Sequence, residues 1–374
     1  MSDLAEKTLA WSRAHVAKVA MQHDTDTLTL RGLLKSAAEM DLLGLQVPRD
    51  HGGLGLPFSS KAAVAQALAR VDFGTAMAIL NTHNVAEQLV RLKRHEIATR
   101  YVHPILTGDL VACTALTEPD AGSDFSAIQT RATPTADGWQ LDGEKTWIIN
   151  ARHADVVVVY AQTQPQGGAS GIGAFLVSAN RPGFARDAHT SLGPLPTMGV
   201  GSFKLNGYRC TPEEVVSPPG EAFRDILRAI NGARTYVAAM CVGMVEACLH
   251  IAAEYGHQRQ TFGQSLASHQ GWRWTLANAA VELQAARHLV EHASACIDAN
   301  QDAQLPAAHA KVFATRMTQQ HIAALMHAMG AEGLDERHPF VRHLQAAQAA
   351  TLTDGSTEML LERIAREAAG SFRP

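Results

Sequence analysis

The segment 351-TLTDGSTEML-360, near the C-terminus, sets Asp354 among small hydroxyl residues and a glycine, with Glu358 four residues on. Two chemistries suit that pattern. Asp and Ser are good helix N-caps and acids suit a first helical turn, so the segment reads as the start of a helix carrying Leu361, Ile364, Ala365 and Ala368. An acid facing a helix N-terminus can equally line a site and move a proton. The local residues leave both roles open. Other apparent site signals are weaker. The 18 histidines are scattered, with no H-E-x-x-H or H-x-x-E-H array, so no metal site is expected. The run 51-HGGLGL-56 lacks full G-x-G-x-x-G spacing and follows 47-VPRD-50 rather than a buried strand, so it reads as a loop. Cys113, Cys210, Cys241, Cys248 and Cys296 include no C-x-x-C pair and read as reduced thiols in a cytoplasmic compartment.

The elements that would position such an acid fall into three textures. At 374 residues, about two or three domains are expected. An apolar share of 46% suits a well-buried chain, while 18% charged residues and a net charge of −4 argue against a nucleic-acid or polybasic membrane surface. No apolar run approaches the roughly 20 residues of a membrane span, and the N-terminus reads as an amphipathic helix rather than a signal peptide. Residues 1–110 are Ala- and Leu-rich with helical spacing, broken by the Gly- and Pro-dense loop 44–60. Residues 111–218 read as a β-domain. Its strands are expected at 111-VACTAL-116, 139-WQLDGEKTWIIN-150, 155-DVVVVYA-161, 173-GAFLV-177 and 203-FKLNGYRC-210, with Asp137-Gly138 and Asp142-Gly143 as hairpin dipeptides. Residues 219–374 are helical again. Ala238, Cys241, Val242, Val245, Leu249, Ala252 and Ala253 form one stripe, and Leu276, Ala280, Leu283, Val290 and Ile297 another. The expected class is α+β: an N-terminal helical domain, a middle β-domain and a C-terminal antiparallel helical bundle.

Four further motifs stand in a fixed order: 115-ALTEPDAGSDFSA-127, 145-KTWIIN-150, 259-RQTFGQSLASHQ-270 and 330-GAEGL-334, with TDGSTEM last. Together they resemble the acyl-CoA dehydrogenase family of flavoenzymes, over nearly the whole chain. The T-E-P-x-A-G-S-D element is the most specific. An isoalloxazine ring needs a polar rim and an aromatic or apolar wall, which Thr117 and Trp147 can supply, and a pyrophosphate suits Arg259 with Thr261. The resemblance implies that Leu116, Thr117, Gly122, Ser123, Trp147 and Ile149 bind FAD in their own subunit, with Ser356 and Glu358 also at the cofactor. It implies that Arg259, Thr261, Phe262, Gln270 and Gly330 reach a neighbour's FAD, in a homodimer or homotetramer.

The implied reaction is α,β-dehydrogenation of an acyl thioester on CoA or acyl-carrier protein, with electron-transfer flavoprotein as acceptor. A carboxylate takes the α-proton while a hydride leaves the β-carbon for flavin N5. The resemblance puts Asp354 at the family's base position; the other acid position, in a helix expected to start near Ile230, holds Ala233. Ser123, Asn231, Arg234, Thr353 and Gly355 fall at substrate positions.

Several residues depart from the family's pattern. Asp is one methylene shorter than Glu, roughly 1.5 Å of reach, where about 1 Å of misplacement costs ~100-fold. Thr353 replaces a tyrosine, Ile149 the threonine of W-I-T-N, Gln345 and Ala346 an Arg-Asp pair, and His327 a glutamine. Asp at the base position resembles members that act on ring-bearing acyl groups, so a branched or alicyclic substrate is expected. A flavin oxidase or monooxygenase on the same fold, or a non-catalytic flavin- or thioester-binding subunit, are the alternatives.

Overall fold

A computed structural model of the chain describes residues 3–22, 24–92, 95–187 and 195–371. Its first elements are α1 (Asp3–His15), α2 (Ala17–Ala20), α3 (Thr27–Ala38), α4 (Phe58–Ala69), α5 (Phe73–Arg91) and α6 (His95–Leu106). Eight strands follow: β1 (Ala112–Ala115), β2 (Arg131–Thr135), β3 (Gly138–Ile148), β4 (Val156–Gln162), β5 (Ile172–Ser178), β6 (Phe184–Asp187), β7 (Gly201–Cys210) and β8 (Val215–Ser217). Then come α7 (Ala222–Gln258), a ribbon of β9 (Gln260–Thr261) and β10 (Gln264–Ser265), α8 (Gln270–Asp298), α9 (Gln304–Ala328), α10 (Phe340–Leu352) and α11 (Thr357–Ser371). The chain divides into two compact units: a helical one of Met1–Met21, Pro57–Ala76 and Ile230–Pro374, and a sheet-bearing one of Gln22–Leu56 and Met77–Ala229.

In the sheet-bearing unit the strands run β6-β7-β3-β2-β4-β5-β8, with β1 parallel to β4. Every residue of β4 is buried, because both faces of the strand are covered. Val156, Val158 and Tyr160 pack with Val85, Leu89 and the α6 residues Tyr101 and Ile105. Val157, Val159 and Ala161, pointing the other way, pack with Phe175, Phe203 and Tyr208.

Of the two expected hairpin dipeptides, Asp137-Gly138 does close the β2–β3 hairpin, where Thr135 pairs with Gly138. Asp142-Gly143 does not make a turn. It lies inside β3 at a register shift against β7. A Cβ on Gly143 would come within 2.6 Å of Thr130 Cα, so this glycine serves close backbone approach at a bulge. The strands β2, β6 and β8 were not expected from the sequence; they are short or mostly polar and lack a clean alternation.

In the helical unit α9 packs against α8, α10 and α11, while α4 packs against α1 and α8. Pro57 precedes α4 and offers no side-chain cap, so Asp298 at the end of α8 accepts from the Phe58 and Ser59 amides at 2.6 and 3.1 Å. The α8 core face is Ala279, Leu283, Ala286, Val290, Ala293 and Cys296, whereas Ala280 of the expected stripe is exposed. Helix α7 begins at Ala222, two turns before the expected start near Ile230, because no breaker follows Gly220 until the helix is formed. It is also long and apolar enough to cross a membrane, against the expectation that no such run exists. Since 67% of its apolar window is buried within the protein, it is a core helix.

Candidate active site

In the sheet-bearing unit, β1 delivers the 116–130 loop beside the end of β3. The Thr117 carbonyl accepts from the Thr146 amide at 3.1 Å, which sets Thr117 next to Trp147. Trp147 has φ 57° at the irregular end of β3 and is 57% exposed, so its indole is presented rather than packed away. Gly122 and Ser123 are exposed at the loop's tip, and Leu116, Thr117 and Ile149 are partly buried.

A buried ion pair holds this loop. Lys145 Nζ lies 2.7 Å from Glu118 Oε1 and donates to the Leu116 carbonyl at 2.8 Å, with the lysine wholly and the glutamate almost wholly excluded from solvent. Glu118 also accepts from the Gln129 and Thr130 amides at 2.5 and 3.0 Å. Burial raises the Glu118 carboxyl, but the Lys145 charge and these hydrogen bonds outweigh it and hold it below its ordinary value. Burial pulls Lys145 down to about 8. Asn150, which closes the KTWIIN segment, donates to the Ala78 carbonyl at 2.8 Å and to Thr82 Oγ1 at 3.1 Å, a structural anchor.

In the helical unit, Arg259, Thr261 and Gly330 line one open cleft of ≈ 490 Å³, together with Tyr255, Leu266 and His327. Phe262 (φ 50°) and Gly263 (φ 79°) form the tip of the β9–β10 ribbon, and the Phe262 ring is 99% exposed. Gln270, at the first residue of α8, is exposed too.

The same unit gathers Asn231, Arg234, Thr353, Asp354 and Gly355. Helix α10 ends at Leu352, and Asp354 (φ 55°) and Gly355 (φ 99°) turn the chain through left-handed conformations into α11. Arg234 Nε donates to the Asp354 carbonyl at 3.0 Å, and its Nη1 to Asn231 Oδ1 at 3.0 Å. Lys311 Nζ donates to the carbonyls of Thr353 and Gly355. Asp354 is not the N-cap of α11. Ser356 takes that place, its Oγ facing the Met359 amide at 3.5 Å, with Glu358 exposed in the first turn. Although Asp354 keeps some exposed surface, its Oδ2 is buried and has no hydrogen-bond partner, and Thr353 Oγ1 is likewise buried and unpaired. Burial raises the Asp354 carboxyl above its ordinary value, with Lys311 and Arg234 opposing it.

Comparison with known proteins identifies the family. Residues 2–109, 113–205 and 220–369 match the N-terminal, middle and C-terminal domains of acyl-CoA dehydrogenases. The chain belongs to the acyl-CoA dehydrogenase family. A probable acyl-CoA dehydrogenase of Bacillus subtilis, YngJ, is 28% identical over 98% of this chain and 95% of its own. The solved butyryl-CoA dehydrogenase of Megasphaera elsdenii superposes with a TM-score of 0.91 at 26% identity, covering 99% of each chain. A chain solved in work on the electron transferring flavoprotein of Acidaminococcus fermentans gives 0.92 at 26% identity, covering 100% of this chain and 99% of that one. As an acyl-CoA dehydrogenase-type protein, it is a flavoprotein oxidoreductase acting on CH–CH groups with FAD as cofactor.

The residues present fit that cofactor. An exposed indole beside a loop whose Leu116 and Thr117 carbonyls are already satisfied suits a flat ring, and an open cleft with an arginine and a left-handed glycine turn suits a nucleotide's phosphates. Three charged residues in these clusters escaped the sequence analysis: Glu118, Lys145 and Lys311. Each carried a signal in hindsight. Glu118 lies inside the T-E-P element, Lys145 opens KTWIIN, and Lys311 is a lone cation among Ala307, Ala308, Ala310 and Val312. A lysine on an apolar helix face needs a buried partner.

Proposed function

We propose that the protein dehydrogenates the α,β-carbons of an acyl thioester, carried on CoA or on an acyl-carrier protein, with Asp354 removing the α-proton. The observation that carries this is the Asp354 carboxyl, whose Oδ2 is buried and unpaired. A carboxylate with a free oxygen and a pKa raised by burial is a better base than one already committed to a cap. Bound FAD supplies the acceptor at N5 for the hydride leaving the β-carbon. Leu116, Thr117, Gly122, Ser123, Trp147 and Ile149 would hold it, with Ser356 and Glu358 also assigned to the cofactor and Ser123 to the substrate as well.

Arg234 and Asn231 act as a pair: the asparagine orients the guanidinium, which fixes the turn bearing Thr353, Asp354 and Gly355. Thr353 is smaller than the tyrosine of the family's pattern, which supports a branched or alicyclic acyl group beside the base. Arg259, Thr261, Phe262, Gln270 and Gly330 reach the FAD of a neighbouring copy in a homodimer or homotetramer. Electron-transfer flavoprotein is the acceptor in this scheme, and the cytoplasm the compartment. The functional division is a helical domain at 1–110, a flavin-contacting β-domain at 111–218 and a helical bundle at 219–374. The test is an anaerobic screen of straight, branched and alicyclic acyl-CoAs against the FAD-loaded protein. Bleaching of the flavin by at least one, most strongly by a branched or ring-bearing thioester, is expected; no bleaching by any of them, on CoA or on carrier protein, would refute the assignment.

A further inference from the structure

Lys311 lies on α9, 42 and 44 residues before the carbonyls it contacts, and its side chain is 1% exposed. Its ammonium donates to the carbonyl of Thr353 and, at 2.5 Å, to that of Gly355. The carbonyl between them, that of Asp354, is taken by Arg234 from α7. Three successive carbonyls are therefore held by two buried cations from two helices. Only the first of them caps α10; those of Asp354 and Gly355 lie beyond the helix end, so terminating the helix does not require holding them. The turn at stake also has a non-glycine residue, Asp354, in the left-handed region, which persists only when its surroundings over-determine it.

We propose that Lys311 is a positioning residue for proton abstraction, clasping the carbonyls on either side of Asp354 so that its carboxyl is fixed in place. This rests on Asp354 being the base. The charged groups facing that carboxyl are Lys311 from α9 and Arg234 from α7. Arg363 of α11 acts on Arg234, and the Cys241 thiol of α7 lies near Lys311. Both cations lower the carboxyl's pKa while desolvation raises it. Removing the ammonium removes one of the two opposing charges, so protonation of Asp354 must persist to higher pH. A lysine whose charge did not act on that carboxyl would not move the titration when replaced.

The experiment compares wild type, Lys311→Met, Lys311→Arg and Asp354→Asn as FAD-loaded proteins. One readout is the rate of anaerobic flavin reduction by the best acyl-CoA across pH. The other is the protonated-carboxyl infrared band that Asp354→Asn abolishes, followed against pH without substrate. Lys311→Met is expected to slow reduction on the order of 100-fold. It should also move the acid limb and the infrared midpoint alkaline by about one unit. Lys311→Arg keeps the charge and should hold the midpoint while restoring part of the rate. Should Lys311→Met not fold, Lys311→Gln, which keeps a donor and loses the charge, carries the same midpoint prediction. Rate and midpoint both unchanged in the neutral variant would overturn the proposal, as would a lost rate with an unmoved midpoint. Full bleaching by Asp354→Asn would overturn the base assignment and the proposal with it. Loss of bleaching there beside a wild-type Lys311→Met would overturn the proposal alone.

Discussion

Asp354 combines a left-handed backbone, a buried unpaired oxygen and a pKa raised by burial, and each of these opposes folding. The sign of the pH effect follows. Unfolded, the carboxyl ionises near 3.8; folded, it holds its proton to higher pH. Between those two values the folded state binds the proton more tightly, so stability falls as pH rises through that window, and the cost is complete above it. Asparagine cannot ionise. Asp354→Asn should therefore melt at a higher temperature than wild type at neutral pH, with the gain vanishing below about pH 3.8. Equal melting temperatures at neutral pH would contradict this. The sequence placed an acid at this point but could not decide between cap and base. That choice depends on which residue, Asp354 or Ser356, faces the free amides of α11, and on cations 42 or more residues away.

At the scale of elements, most strands and helices were legible from periodicity and turn residues, while exceptions came from contacts a local window does not hold. Asp142-Gly143 has hairpin chemistry, yet β3 continues through it because β7 pairs on both sides and Thr130 leaves no room for a side chain. The β3 strand and the 116–130 loop depend in turn on the Glu118–Lys145 pair. Breaking one partner of a buried pair strands the other, at a cost of roughly 3–5 kcal/mol. Lys145→Met should lower unfolding stability in urea by about that much, and Lys145→Met with Glu118→Gln should recover part of it by removing the orphaned charge. A single variant as stable as wild type would show that the pair contributes little.

At the scale of the whole molecule, composition and motif order made the α, β, α sequence of textures readable, because each texture extends over some hundred residues. What no single chain can show in its sequence is which exposed surface is covered in use. Trp274 and Val281, seven residues apart on one face of α8, are 60% and 71% exposed, and Phe262 at the ribbon tip is almost entirely so. A second copy of the chain is the proposed cover. Trp274→Glu combined with Val281→Glu should shift the sedimentation of the protein toward monomer and lower its FAD content; unchanged sedimentation would remove this face from the assembly.

The central claim is that Asp354 takes the substrate's α-proton. Its most direct test is anaerobic titration of FAD-loaded Asp354→Asn with the acyl-CoA that bleaches wild type. The flavin is expected to stay bound, yellow and oxidised; bleaching at the wild-type rate would contradict this role for Asp354.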